Sequence, residues 1–488
     1  MVLPAAGSRI LSKRLPPLAC SPLPKPNNNL PSGVVDSFIL SGETTKSYSH
    51  QFANIYFARL TMLKPVVLKA AETKWKDHRF TLPNIGKPVS ISRVLDVVKS
   101  QLCYVVGTIY MDMPLKPNVL VDIGKEHWIV APPSRPKFNS PQDTVLLEDE
   151  SGRIKLVGEP LMRLRLVTGV IMAVLGVETS AGEFQVVDAC FAGMAPQGVT
   201  SLRSSYSELE VDQDGSWVAF ISGLDISSSD VQPGMDDALD MRLQLLVEYL
   251  KGETGGPQDQ SFSAQCSALI VLGNSLDIPR KSQDDLKNSK RYNSQTTWDP
   301  APLRRFTRSL QELARSVTVH ILPGSTDPAP STLPQQPMPK AMFGFEGFPE
   351  SQVFMSETNP VWLDIGAWGV LATSGQTLDD IFKYVDSTDR MAMACDTLLW
   401  RHIAPTCPDT LWCYPFFDRD PFVLSHSPSV YAIGNQPSFE SELMRGPLGE
   451  MTRVVLVPKF SETGQVVIVN TTSLAVQTIR FHATQGWA

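Results

Sequence analysis

The sequence predicts a multidomain α/β chain, with a small β-barrel followed by a larger domain in which strands and helices alternate. Three observations lead there. At 488 residues the chain exceeds what one hydrophobic core ordinarily serves. Between about Val94 and Met194, short β-rich runs alternate with turn signals. From Trp217 onward the pattern becomes strand, helix, strand, helix, strand, which implies a parallel sheet with right-handed crossovers.

Residues 1–45 are rich in Pro, Asn and Ser and are expected to form a disordered leader. The first 35 residues hold no acid and carry Arg9, Lys13, Arg14 and Lys25, which would also suit a transit peptide. Pro16, Pro17, Pro22, Pro24 and Pro26 rule against the sustained amphipathic helix that such a peptide needs. A helical segment is expected across 46–90. Its core is a helix over Gln51–Leu63, because Phe52, Ile55, Tyr56, Leu60 and Leu63 share one stripe.

The barrel is assigned to residues 91–205. Its strands are expected at Cys103–Tyr110, Thr144–Leu147, Ile154–Val157, Leu166–Val177 and Phe184–Ala189, with Asp149-Glu150-Ser151-Gly152 as a hairpin turn. The long run Leu166–Val177 suits a strand that bends, with Gly169 and Gly176 relieving the curvature. The second domain is assigned to 206–488. It has strands at Val218–Ser222, Ala268–Leu272 and Val317–Leu322, and later at Val430–Ile433, Arg453–Val457 and Val466–Val469. A helix near Asp236–Leu250 carries Leu239, Leu243, Leu246, Val247 and Leu250 on one stripe and stops at Gly252. A second helix starts near Asp299-Pro300, with Asp299 as N-cap. Gly252–Ser263 reads as a polar surface loop and Pro323–Pro339 as a Pro/Gln-rich linker.

Charge narrows the function. The formal charge of −7 is the wrong sign for a chain that grips DNA over a broad surface, since each phosphate contact needs Lys or Arg. The seven cysteines are scattered without a C-x-x-C pair, which argues against a disulfide framework and a structural zinc or iron–sulphur site, and favours a reducing compartment. No apolar run is long enough to span a membrane. No cofactor is expected.

In α/β sheets, sites form at the carboxyl ends of strands. Those positions read Ser222-Gly223-Leu224-Asp225, Gly273-Asn274-Ser275-Leu276-Asp277, Pro323-Gly324-Ser325-Thr326-Asp327 and Gly434-Asn435-Gln436-Pro437. The arrangement resembles the calcineurin-like metallophosphoesterases, whose pattern runs D-x-H, G-D-x-x-D/N, G-N-H-D/E, a later His, and G-H-x-H. The resemblance implies a β-sandwich flanked by helices and a two-metal phosphoryl-transfer site. Here that site is degenerate. Gly223 stands at the first Asp and Asp225 at its His. Asn274 stands at the bridging Asp, and Ser325 and Thr326 at the Asn-His pair. Asn435 and Pro437 stand at the last His pair. Gly and Pro carry no ligand atom, and neutral oxygens alone do not hold two dications. Asp225, Asp277 and Asp327 remain, either as ligands of a single hard cation or as turn and cap residues.

Longer strings add specificity. Leu147–Glu159, Leu166–Gly176, Cys190–Gln197, Thr332–Pro337, Thr373–Ile381, Arg401–Phe416 and Tyr431–Phe439 are similar to the second, small regulatory subunits of DNA polymerase delta. That resemblance runs in order over roughly residues 50–485. It implies an OB-fold β-barrel packed on an inactive phosphoesterase domain, a non-catalytic scaffold and a nuclear location. The partners it implies are the Cys-rich C-terminal domain of the catalytic subunit, a third accessory subunit, sharing with polymerase zeta, and DNA only through the complex. A scaffold of that kind is expected to leave apolar surface exposed when isolated.

Two other readings come from the residues. A single-strand-binding barrel would use aromatic platforms and a basic groove. Tyr104, Tyr110, Trp128 and Phe184 suit strand cores or hairpin edges better, while Arg153, Lys155, Arg163 and Arg165 form a loose cluster, with Arg153 and Lys155 as candidate weak nucleic-acid contacts. A residual metal-dependent phosphodiesterase is the other. His402 invites a catalytic role but lacks partner imidazoles and reads as a packed or surface histidine; Cys407 and Cys413 read as ordinary thiols. Tyr414-Pro415-Phe416-Phe417 reads either as an exposed partner patch or as a plug for the vacant cavity.

Overall fold

The computed structural model describes residues 8–12, 32–34, 38–40, 51–76, 87–117, 135–197, 216–227, 235–277, 300–344, 348, 353–365 and 368–482. Three sheets organise these residues.

The first sheet closes into the barrel. Helix α1, Ala53–Trp75, leads to it. Strand β3 (Val89–Ile91) runs parallel to β4 (Cys103–Asp112). Then come β5 (Thr144–Glu148), β6 (Arg153–Val157), β7 (Ile171–Glu178) and β8 (Glu183–Cys190), with β4–β7 pairing to close the ring. The expected turn is present. Asp149 accepts hydrogen bonds from the N–H groups of Ser151 and Gly152, so its side chain makes the turn locally.

The other two sheets stack face to face. One has β9 (Trp217–Ile221), β10 (Cys266–Leu272), β11 (Thr318–Leu322) and β12 (Phe354–Ser356) in parallel, with β18 (Gln465–Asn470) antiparallel to β9 and β19 (Val476–His482) beyond it. The other contains β13 (Val361–Ile365), β14 (Trp368–Thr373), β15 (Val430–Gln436), β17 (Met451–Pro458) and the edge strand β16 (Glu440–Arg445). Phe220, Ile270 and Leu322 of one meet Leu363, Ala372 and Val455 of the other in a shared apolar layer. The central strands are buried on both faces, which is why they read as unbroken apolar runs instead of alternating. Helices Met235–Leu250 and Pro300–Leu313 cover the β9–β12 sheet of this pair through Leu243, Leu246, Phe306 and Leu310. Helices Gln376–Tyr384 and Arg390–Trp400 cover the second, and their core is continuous with the barrel interior through Val105, Leu147 and Phe184.

Five expectations are corrected. Helix α1 does not stop at Leu63 but continues through Pro65 to Trp75. Val67, Ala71 and Trp75 extend its buried stripe across β4 and β7. An internal proline costs about 3 kcal/mol, and burying each large apolar side chain returns roughly 1.5–3 kcal/mol, so packing decides the length. The run Leu166–Val177 is not one strand: the strand begins at Ile171, and Gly169 at φ +93° turns the chain before it. A Cβ on Gly169 would lie 2.3 Å from the Arg59 guanidinium, so the glycine makes room for a side chain far away in sequence. Gly252–Ser263 includes a helix, Pro257–Ala264, with Ser263 donating to the Tyr249 carbonyl. Pro323–Pro339 is no loose linker, since Leu333, Gln335 and Met338 in it are buried. The leader is not featureless either. Ser8–Ser12 forms β1 beside β19, Ser32–Val34 forms β2 beside β13, and Phe38 stacks on Phe422. Strands β19 and β13 otherwise end their sheets, and an unpaired edge is a template for any nearby extended segment. Asp299 and Trp128 lie outside the described residues.

Candidate functional site

The strand-end positions singled out above converge. Gly223 N–H donates to the Gly273 carbonyl at 3.0 Å, and Asp225 N–H to the Asn274 carbonyl at 3.0 Å. The third loop joins through Asn274, whose Oδ1 accepts from the Ser325 hydroxyl at 3.2 Å and from Thr326 N–H at 3.4 Å. The fourth joins through Asn435. Its Nδ2 donates to the Leu272 carbonyl at 3.1 Å and the Ser374 carbonyl at 2.8 Å, tying the ends of β10 and β14, one from each stacked sheet. Asp225, Asn274 and Asn435 all have left-handed backbone, at φ +46°, +53° and +57°. Asn and Asp tolerate that conformation, which lets each loop turn sharply at a strand end. Pro437 is exposed and outside this network.

The acids have separate duties. Asp327 is buried and accepts backbone N–H bonds from Ser275, Leu276 and Gly324 at 2.8–3.0 Å. Burial pushes its pKa up to about 6, against the lowering effect of those N–H groups. Asp225 accepts from the Ser461 hydroxyl at 3.0 Å and lies 3.4 Å from the Lys459 ammonium. Asp277 donates its backbone N–H to the Ile226 carbonyl. Among the described residues, no three His, Cys, Asp or Glu side chains gather as metal ligands would.

Behind the loops lies an amide belt that the sequence pattern did not reveal. Asn359 Nδ2 donates to Gln335 Oε1, Ser374 Oγ and Gln376 Oε1, while its Oδ1 accepts from Thr373 Oγ1 and Ser374 N–H. Every hydrogen-bonding position of that amide has a partner, as burial requires. Gln335 falls in the string Thr332–Pro337, and Thr373, Ser374 and Gln376 in Thr373–Ile381, but nothing local links either to Asn359.

His402 is buried, not at the surface, and belongs to a second cluster at the seam between barrel and sandwich. Its Nε2 lies 2.8 Å from Asp420 Oδ2, which also accepts from Arg59 Nε at 2.7 Å. The Arg59 Nη groups donate to the carbonyls of Gly169, Pro405 and Cys407. All three ionisable side chains are essentially fully buried. Burial, helped by the Arg59 charge, lowers the His402 pKa to about 4 and keeps the ring neutral at physiological pH. Burial alone would raise Asp420, yet His402 and Arg59 hold its carboxyl far below the usual range. Cys407, beside this cluster, is a buried thiol whose pKa burial drives well up, so it is not a nucleophile.

On the barrel, the basic cluster is neutralised pair by pair. Arg153 meets Glu148, Lys155 meets Glu183, Arg163 meets Glu159 and Arg165 meets Asp396. Helix α1 covers Tyr104 and its neighbours on β4 and β7. Phe184 is buried inside the barrel, and Tyr110 has the ammonium of Lys116 over its ring. The string 414–417 divides. Phe416 is buried against Tyr414 and Phe422, whereas Phe417 is 61 % exposed and Trp412 66 %.

No helix among the described residues is long and apolar enough to cross a membrane. Two family models match. Residues 51–189 fit a DNA polymerase delta subunit OB-fold domain, and residues 218–441 fit the B subunits of DNA polymerases alpha and epsilon. The chain is 38 % identical to the DNA polymerase delta small subunit of Arabidopsis thaliana, over 88 % of this chain and 91 % of that protein. It is 34 % identical to the one from Oryza sativa (92 % and 97 % covered) and 32 % identical to that of Saccharomyces cerevisiae (89 % and 90 % covered). With both domains matched and nearly the whole length aligned, the chain belongs to the family of DNA polymerase delta small subunits.

Proposed function

We propose that this chain is a non-catalytic scaffold of the nuclear polymerase delta complex in DNA replication and repair. It bridges the Cys-rich C-terminal domain of the catalytic subunit to a further accessory subunit. Sharing with polymerase zeta follows the same family expectation, and DNA is contacted through the complex.

The observation that carries the non-catalytic part is the strand-end cluster. Read as a phosphoesterase site, it has Gly223, Asn274, Thr326 and Asn435 where anionic or imidazole ligands would stand, and Ser325 where an asparagine would. The Ser325 hydroxyl is committed to Asn274 Oδ1 and the Asn435 amide nitrogen to two backbone carbonyls, while the Thr326 hydroxyl and Asn435 Oδ1 are buried without a partner among the described residues. Asp327 has its carboxylate taken by three backbone N–H groups. Two dications need several anionic oxygens or imidazoles to replace their water. The donor set here does not fit a two-metal centre, and no hydrolytic step is derived through one. Paired barrel cations likewise support indirect DNA contact, because a neutralised Lys or Arg releases few counterions on binding phosphate.

The test is co-expression of the chain with the C-terminal domain of the cognate catalytic subunit, followed by size-exclusion chromatography. A stoichiometric complex is expected. Separate elution of two folded components would overturn the bridging role. Turnover of a generic phosphodiester with Mn²⁺, abolished by Asp277→Ala, would overturn the non-catalytic one.

A further inference from the structure

Beside the strand-end cluster stands a cation supplied by the chain itself. Lys459 follows β17, and its position is fixed by backbone, not by its own side chain. It forms a parallel bridge with Ser222. Phe460 N–H donates to the Ser222 carbonyl at 2.7 Å and Ser461 N–H to the Gly223 carbonyl at 3.0 Å. The Ser222 hydroxyl returns the contact to the carbonyls of Val457 and Pro458. The 457–461 segment is therefore stitched to the end of β9.

That stitching aims Lys459 at the two positions matching the D-x-H pair. Its stem lies over Gly223: a Cβ there would come 2.7 Å from Lys459 Cγ and 2.7 Å from Asn435 Oδ1. The space an aspartate side chain would use is already filled. Its ammonium lies 3.4 Å from Asp225 Oδ2, the oxygen that also accepts from Ser461 Oγ, with Glu462 at 3.9 Å on the solvent side. Asp225, which stands at the His of that pair, is its one charged residue, and Lys459 is the cation set against it.

We propose that Lys459 has taken the place of the first metal ion, with its ammonium supplying the positive charge that Asp225 faces and its stem occupying the room that Gly223 vacates. This rests on reading the cluster as a vestigial phosphoesterase site. Its physical content is charge balance. An ammonium already set against Asp225 weakens the field that would draw in a divalent cation there, and a metal would first have to displace the Lys459 stem from over Gly223. Lys459 is thus a positioning residue that holds the Asp225 carboxylate at the end of β9 without metal.

A double-mutant cycle on the full-length chain tests this, with thermal denaturation as the readout. Lys459→Met keeps the stem and removes the charge; Asp225→Asn removes the partner charge and keeps the shape. Because both groups are partly exposed, each single change is expected to lower Tm by on the order of 1–2 °C. The double variant should lose no more than the larger single, and Lys459→Arg should stay at the wild-type Tm. If the two losses simply add, or if Lys459→Arg falls with Lys459→Met, the ammonium is not paired with Asp225 and the proposal is overturned. The scaffold reading would stand in that case, since it fails only on the complex and turnover experiments above.

Discussion

The polar clusters at the seam and at the strand ends handle charge in different ways. At the seam, Arg59, Asp420 and His402 bring ionisable groups into full burial and satisfy them with each other and with three backbone carbonyls. At the strand ends, Asn274, Asn435, Ser325 and Thr326 join the loops with neutral groups. A buried charge that loses its partner keeps its desolvation penalty, whereas a neutral amide that is removed forfeits only its own hydrogen bonds. The seam is therefore brittle and specific, and the amide and hydroxyl contacts of the strand ends are more tolerant. The charged cluster lies on the seam between barrel and sandwich, where it ties helix α1 to the Gly169 turn and to the 402–420 segment.

Three experiments would break or sharpen the contrast. The largest effect is expected from Arg59→Met, which strands Asp420 without its guanidinium. Unfolding by urea should show a loss of about 3–5 kcal/mol. A loss under about 1 kcal/mol would mean that the seam is solvated and the contrast is false.

The next effect is on pH dependence. His402 has a folded pKa of about 4 against an ordinary 6.5, so the unfolded state binds the extra proton between those values. Its contribution is present above pH 6.5 and is lost as pH falls toward 4, a span worth about 3 kcal/mol at most. Asp420, also depressed, acts in the same direction at lower pH. Asp327 in the other cluster has the opposite sign. Its folded pKa of about 6 lies above the usual 3.8, so its contribution is present below 3.8 and is lost as pH rises through 6. The stability advantage of wild type over His402→Gln should shrink on acidification from pH 6.5 to 4, while its advantage over Asp327→Asn should grow. Denaturant midpoints across that range decide it, and parallel curves would show that neither group is linked to folding.

The smallest effect is expected from Asn435→Ala. It removes two side-chain bonds to Leu272 and Ser374 without leaving a charge behind, so a loss of roughly 1–2 kcal/mol is expected. A loss as large as that of Arg59→Met would make the two clusters energetically alike and end the comparison.

The sequence by itself determined the strand–helix rhythm, the hairpin at Asp149 and the loops that follow the strand ends. These are local: a two-residue or 3.6-residue period, a turn residue, and a loop following an apolar run are all written within a few positions. It also carried the family resemblance, which is spread in order along nearly the whole chain. What only the tertiary structure decided are the partnerships between distant positions. Arg59 meets Asp420 across 361 residues, and Lys459 meets Asp225 across 234. Helix α1 runs past Pro65 because the barrel surface is there to cover, and Pro323–Pro339 is ordered because Gln335 reaches the Gly324 and Pro330 carbonyls and pairs with Asn359. No periodicity encodes such contacts. They exist because burial favours pairing a polar group with whatever partner the fold brings within reach, and because apolar faces extend an element beyond its local preference.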